Sequence, residues 1–127
     1  MVAMTNYIDN VRKAIERQYK GLCTIYEYTE IEDPDTGETI VSPEPLPVHE
    51  NIPCKLSKKA IGSVDNSEVS NTIKYEPVLF INPDIKIKPG SIIEVTQYGA
   101  TRKFIRSGEP FIYETHQEIV LQRIDTA

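Results

Sequence analysis

Ile85-Lys86-Ile87-Lys88, the turn Pro89-Gly90, Ile92 to Gln97, the turn Tyr98-Gly99-Ala100, and Thr101 to Ser107 follow one another without pause. Gly108-Glu109-Pro110 then leads into Phe111 to Ile124. Apolar and polar residues alternate through this last third, and Gly and Pro punctuate it at short intervals. That pattern predicts short strands joined by tight turns. The segment from Asn82 to Ile124 is committed to β-structure and poor in chemistry, which points to a part whose product is shape.

The rest of the chain extends this reading. Thr5 to Tyr19 is predicted to be an amphipathic helix, with Tyr7, Ile8, Val11, Ala14, Ile15, Gln18 and Tyr19 recurring at three- and four-residue spacing. Thr5 or Asn6 can cap its start, and Gly21 can end it in a left-handed conformation. Leu22 to Ile31 reads as a strand. Asp33-Pro34-Asp35-Thr36-Gly37 is a strong turn, since Pro presets φ and Gly accepts positive φ. Glu38 to Val41 returns as a short strand. Ser42-Pro43-Glu44-Pro45-Leu46-Pro47 holds three prolines without donors, so it is expected as an edge or a connecting loop. Val48 to Leu56 resumes the sheet. Ala60 to Asn71 is the most loop-like stretch, flanked by Lys58, Lys59 and Lys74; a segment of that length is usually functional or disordered. Thr72 to Ile81 is a further strand, with Pro77 demanding a bulge or an edge. One helix and a series of short strands predict a mainly β protein, a small barrel or sandwich.

A chain of 127 residues fits one domain with one modest core. No run approaches the roughly 18 apolar residues that span a bilayer. The start, Met1 to Asn6, lacks the basic and apolar parts of a signal peptide, so a cytosolic origin is expected. Cys23 and Cys54 stand too far apart for a Cys-x-x-Cys pair and are expected as buried thiols. Net charge is −5 and unevenly spread. Between Gly21 and Cys54 there are eight acids and no Lys or Arg, leaving the remainder net positive. Because phosphate contacts need positive charge, a dedicated nucleic-acid binder is disfavoured. An acidic face that meets a basic partner, or a solvated hairpin, fits better.

Catalytic patterns are missing. Nothing matches a phosphate-binding loop or a nucleophile elbow. His116 and Glu118 share a strand face at a spacing that two metal ligands could use, but an ordinary polar face has the same spacing. Ser107, His116 and Glu118 match a triad in residue type alone. The expectation is a protein that is not an enzyme, without cofactor, metal or catalytic residues. Seven tyrosines and no tryptophan suit strands wet on one side.

Several segments together resemble a known family. They are Tyr7 to Ala14, Gly21 to Tyr28, Ile87 to Ser91, Val95 to Gly99, Arg106 to Pro110 and Tyr113 to Leu121. The chain resembles, over nearly its whole length, small proteins of the head–tail gene cluster of phages and prophages of Gram-positive bacteria, of the XkdH/YqbH type of Bacillus prophages. The resemblance implies a small antiparallel β-barrel with one N-terminal helix and long loops: helix 5–20, barrel 22–125, mobile loop about 57–73, all one domain. It also implies a structural role as a head-closure or head–tail connector protein. Such a protein forms a homo-oligomeric ring between the portal or adaptor ring and the tail proteins, lies close to packaged DNA, and touches no membrane. The isolated subunit is compatible with a monomer. It would assemble in the host cytoplasm and end in the virion neck. The candidate channel loop holds Lys58, Lys59, Ser63, Asn66, Ser70 and Lys74. The candidate subunit interface holds Tyr7, Val11, Ile15, Tyr19, Pro45 and Pro47. Two alternatives stand beside this reading. One is a tail-completion or terminator protein. The other is a single-stranded nucleic-acid-binding barrel using Lys86, Lys88, Arg102, Lys103 and Arg106.

Overall fold

The computed structural model describes residues 2–61 and 74–124. In chain order the elements are helix α1 (Val2–Arg17) and strands β1 (Gly21–Glu27), β2 (Glu30–Glu32), β3 (Thr39–Val41), β4 (Leu46–Ile61), β5 (Lys74–Ile81), β6 (Ile92–Gln97), β7 (Ala100–Arg106), β8 (Phe111–Ile112) and β9 (Gln117–Arg123). Strands pair antiparallel in the order β5-β4-β1-β6-β7-β9, and β5 pairs again with β9. The sheet is thereby a closed barrel of six strands with one N-terminal helix. Strand β8 pairs with the start of β9 at Gln117 and Glu118, on the side opposite β5, and β2 and β3 form a separate hairpin.

Alternation along each barrel strand builds the core. Cys23 and Ile25, Cys54, Leu79 and Ile81, Ile93 and Val95, Phe104, and Ile119 and Leu121 all bury their side chains in one cluster. Closure needs strong local twist, and β4 supplies it. Its register against β1 slips between Cys23 and Ile25 and again between Ile25 and Tyr26, and Asn51 adopts φ 53° within the first slip. Bulges of this kind bend a strand and tighten its twist. The β6–β7 turn has positive φ at both Tyr98 and Gly99, the geometry that matches two-residue hairpins to strand twist.

The two ends of the barrel differ. Residues 82–91 cross one end as a plug, burying Ile87 and packing Ile85 on the core. The buried Gln117 amide donates to the Asn82 carbonyl at 2.8 Å and to the Ile85 carbonyl. Arg106 donates to the Ile87 carbonyl at 2.8 Å and to Gly108. The expected strand at Ile85 to Lys88 is therefore corrected. Its alternation is real, but these carbonyls are satisfied by side chains rather than by a ladder. Among the described residues no segment crosses the other, open end.

Other expectations shift for local reasons. The helix starts at Val2, placing Thr5 and Asn6 inside it rather than at its cap. It ends by tight turns, Gln18 donating to Ile15 and Tyr19 to Glu16. Gly21 is not its left-handed cap but the first residue of β1. Leu22 to Ile31 divides into β1 and β2. Leu46 and Pro47 pair with Glu27 and Tyr26, so strand begins inside the three-proline segment. Pro47 is tolerated because β4 meets β5 only from Cys54 onward, leaving its other edge open. Pro77 likewise pairs with Lys58 on one side, one residue beyond the last β5–β9 pair. Phe111 to Ile124 divides into β8 and β9 around a turn. Ser57 to Ile61, expected in the mobile loop, are strand.

Candidate functional site

Strands β4 and β5 pair from Cys54 with Ile81 to Ile61 with Lys74, whereas β5 meets β9 only from Val78 to Ile81. Residues 58–61 and 74–77 are thus a two-stranded arm extending past the open end of the barrel. Beneath it lies a cavity of 650 Å³ lined by Leu56, Lys58, Tyr75, Gln97, Arg102 and Arg123, among others. The inward stripe of each strand changes character here. Cys54 and Leu56 give way to Lys58, Leu121 to Arg123, Phe104 to Arg102, and Val95 to Gln97. The result is a cationic rim above an apolar floor, with Glu76 as the acid in its lining. The Lys58 ammonium lies 4.6 Å from the centre of the Tyr75 ring, a cation–π contact at an exposed position.

Gln97 completes the wall where β1 begins. Its side-chain amide accepts from the Leu56 N–H at 2.9 Å and donates to the Leu56 carbonyl at 3.0 Å. It stands in for the next peptide of β1, so the strand can start at Gly21 without orphaning β4. A side chain at Gly21 would meet the Cys54 carbonyl oxygen at 3.1 Å. The free, buried Cys23 and Cys54 lie just below. A hydrogen bond to Cys54, then burial, pushes the Cys23 thiol pKa upward.

The candidate channel residues are brought together only in part. Lys58 and Lys59 stand in the arm rather than in a loop, and Lys74 opens β5. Ser63, Asn66 and Ser70 lie outside the described residues. Of the candidate interface, Val11, Ile15 and Tyr19 are half-buried, while Tyr7 is 69% exposed. Pro45 is half-buried and Pro47 exposed, at the far end from Tyr19 along β4. Helix α1 is fastened by Arg12, which donates to the Glu114 carbonyl at 2.6 Å and pairs with Asp84 at 3.0 Å. Asn82 donates to the Glu16 carboxylate at 2.8 Å. Tyr19 shares a groove with Lys55, Phe80 and His116. Burial first, then the Glu16 and Cys54 charges, push its phenol up to about 12.

The cations proposed for nucleic acid do not form one groove. Lys86 and Lys88 lie on the plug, Arg102 and Lys103 near the mouth, and Arg106 is spent on backbone carbonyls. His116 does meet Glu118, at 3.1 Å, and stacks on Tyr113 at 4.8 Å between ring centres. Ser107 instead donates to the Val120 carbonyl. Among the described residues no third His, Cys, Asp or Glu joins the pair to hold a metal, and no helix is long and apolar enough to cross a membrane. Arg123 and Gln97 were not singled out by sequence; the signal available was their place on the inward stripe of β9 and β6.

The chain matches no family model and no curated protein sequence. Among solved structures it is similar to the XkdH protein of the phage-like element PBSX from Bacillus subtilis, with 16% identity and a TM-score of 0.46, covering 84% of this chain and 96% of that one.

Proposed function

We propose that this chain is a structural subunit of a phage or prophage neck, a head-closure or head–tail connector protein that helps retain packaged DNA and joins the tail. The observation that carries the reading is the overhanging arm. The barrel projects a two-stranded β4–β5 extension, and the segment expected as the channel loop, marked by its polarity, length and flanking lysines, begins within it. Support comes also from the resemblance itself, which runs over nearly the whole chain and implies the barrel and helix described above. The partners on this reading are a portal or adaptor ring, tail proteins and further copies of the chain. Val11, Ile15 and Tyr19 are half-buried and leave their margins, with Tyr7, for a neighbour. Assembly takes place in the host cytoplasm, and the mature location is the virion neck.

The test is made on particles. Replacing residues 62–73 by a short turn should leave the fold and head incorporation intact while filled heads lose DNA, measured as nuclease-accessible genome. Heads made without the protein should lack tails by electron microscopy. Unchanged DNA retention would refute the channel assignment, and failure to associate with portal-bearing heads would refute the neck reading.

A further inference from the structure

The molecule has two poles of opposite charge. At the open end, Lys58, Arg102 and Arg123 line the mouth, and none of them joins an ion pair among the described residues. Arg102 and Arg123 also line a smaller cavity beside it with Lys103. At the plugged end, β1 finishes and the chain enters the β2–β3 hairpin. Glu30, Glu32, Asp35 and Glu38 are exposed there, within the stretch that has no Lys or Arg. Lys86 and Lys88 belong to the same end, and Lys88 already faces Glu27 at 3.9 Å.

The hairpin is also preformed. Among the described residues its three residue pairs bond to no other strand. The Asp33 N–H donates to the Glu38 carbonyl at 2.7 Å, and the Gly37 N–H to Asp33 at 2.8 Å. Its base is clamped by the buried Ser42, which donates its N–H to Thr29 and accepts the Thr29 N–H on its hydroxyl. A protruding element that is already ordered loses little entropy on docking.

We propose that the cationic mouth receives the acidic β2–β3 hairpin of a second copy of this chain. Charge complementarity names the occupant: the mouth needs a compact anionic element, and the chain supplies one at its opposite end. A polyanion such as single-stranded DNA is favoured less. The chain carries −5 overall, Glu76 sits in the mouth lining, and Lys88 and Arg106 are engaged at the plugged end. Because the two patches differ and lie at opposite ends, the contact is heterologous: it closes into a ring or propagates as an open chain. As the subunit contact of a neck ring the proposal rests on the reading above. As a contact between copies it is tested on the purified protein, so the two fail separately.

The experiment compares the native chain with a hairpin reversal, Glu32→Lys/Asp35→Lys/Glu38→Lys, and a mouth reversal, Arg102→Glu/Arg123→Glu. None of these side chains makes a described hydrogen bond; if the mouth reversal misfolds, Arg102→Gln/Arg123→Gln replaces it. In about 0.1 M salt, where net repulsion is screened but close poles still interact, the native mass in sedimentation should rise with concentration and fall again in about 1 M salt. Amide shifts should move together in the hairpin and around the mouth. Each reversal alone should weaken association by about tenfold or more, as expected for close charge pairs. An equimolar mixture of the two reversals should restore it. A native chain that stays monomeric throughout, or association indifferent to both reversals, would overturn the proposal. So would a single-stranded oligonucleotide whose binding needs Arg102 and Arg123 while self-association ignores the hairpin.

Discussion

Gly21 is a residue whose role is space rather than conformation. A methyl group there would lie 3.0 Å from the Gln97 amide oxygen, 3.1 Å from the Cys54 carbonyl and 3.3 Å from its sulfur. Two of those neighbours are held in the wall, so Gly21→Ala should cost about 1–3 kcal/mol as overpacking, read as a lower denaturant midpoint with unchanged slope. At Tyr19 the question is pH. Its phenol ionises at 10.0 when unfolded but is pushed up to about 12 in the fold. Below pH 10 it is neutral in both states and contributes no pH dependence. Between pH 10 and 12 the unfolded chain binds fewer protons, so stability falls as pH rises. Tyr19→Phe should flatten that part of the stability curve, leaving the decline due to Cys23; an unchanged curve would mean the shift is not felt. Residue-level legibility was uneven for a physical reason. Cys23 and Cys54 could be read as buried because alternation places them. Gly21 could not, since its demand arises from two strands and a side chain that are remote in sequence.

Among elements, periodicity revealed which segments are ordered but not which find partners. The helix and most strands follow their patterns, and Pro77 sits at a local edge as its missing donor requires. Ile85 to Lys88 alternates like a strand yet plugs the barrel, because Gln117 and Arg106 take its carbonyls. The cationic mouth was legible only in part for a similar reason: Lys58 and Arg102 stood out in separate segments, and Arg123 is an ordinary strand residue until closure gathers the three. Helix α1 tests how independent an element can be. No side chain among its described residues is fully buried, and Arg12 holds it to the Glu114 carbonyl and to Asp84. Asp84 is 74% exposed, so the ion pair adds little; the bond to the Glu114 carbonyl matters more. Arg12→Ala should cost about 1 kcal/mol. Amide exchange in residues 7–17 should quicken while β1, β6 and β9 keep their protection. Equal loss in helix and barrel would show that the helix is part of the cooperative core.

At the scale of the whole molecule, closure depends on the β5–β9 seam, four pairs from Val78 with Val120 to Ile81 with Gln117. The barrel also requires β1 to pair with β6, about 70 residues away in sequence. Ladders of such separation place folding in the millisecond-to-second range, because chain closure precedes the contacts that reward it. Ile119 is fully buried in the seam and belongs to the single core cluster. Ile119→Ala should therefore cost about 2–5 kcal/mol, a large share of the roughly 5–15 kcal/mol that holds a domain. The form of the loss is the sharper prediction. A sheet open at the seam would leave β5 and β9 as long unpaired edges, while β6 and β7 remained paired with each other. A closed barrel has no such intermediate of comparable stability, since opening the seam exposes the core shared by all six strands. Circular dichroism and amide exchange in β6 and β7 should thus report the same lowered midpoint as β5 and β9. Protection surviving in β6–β7 after β5 and β9 have opened would show that the barrel unfolds in parts, and that the arm and mouth can be remodelled without dissolving the wall that carries them.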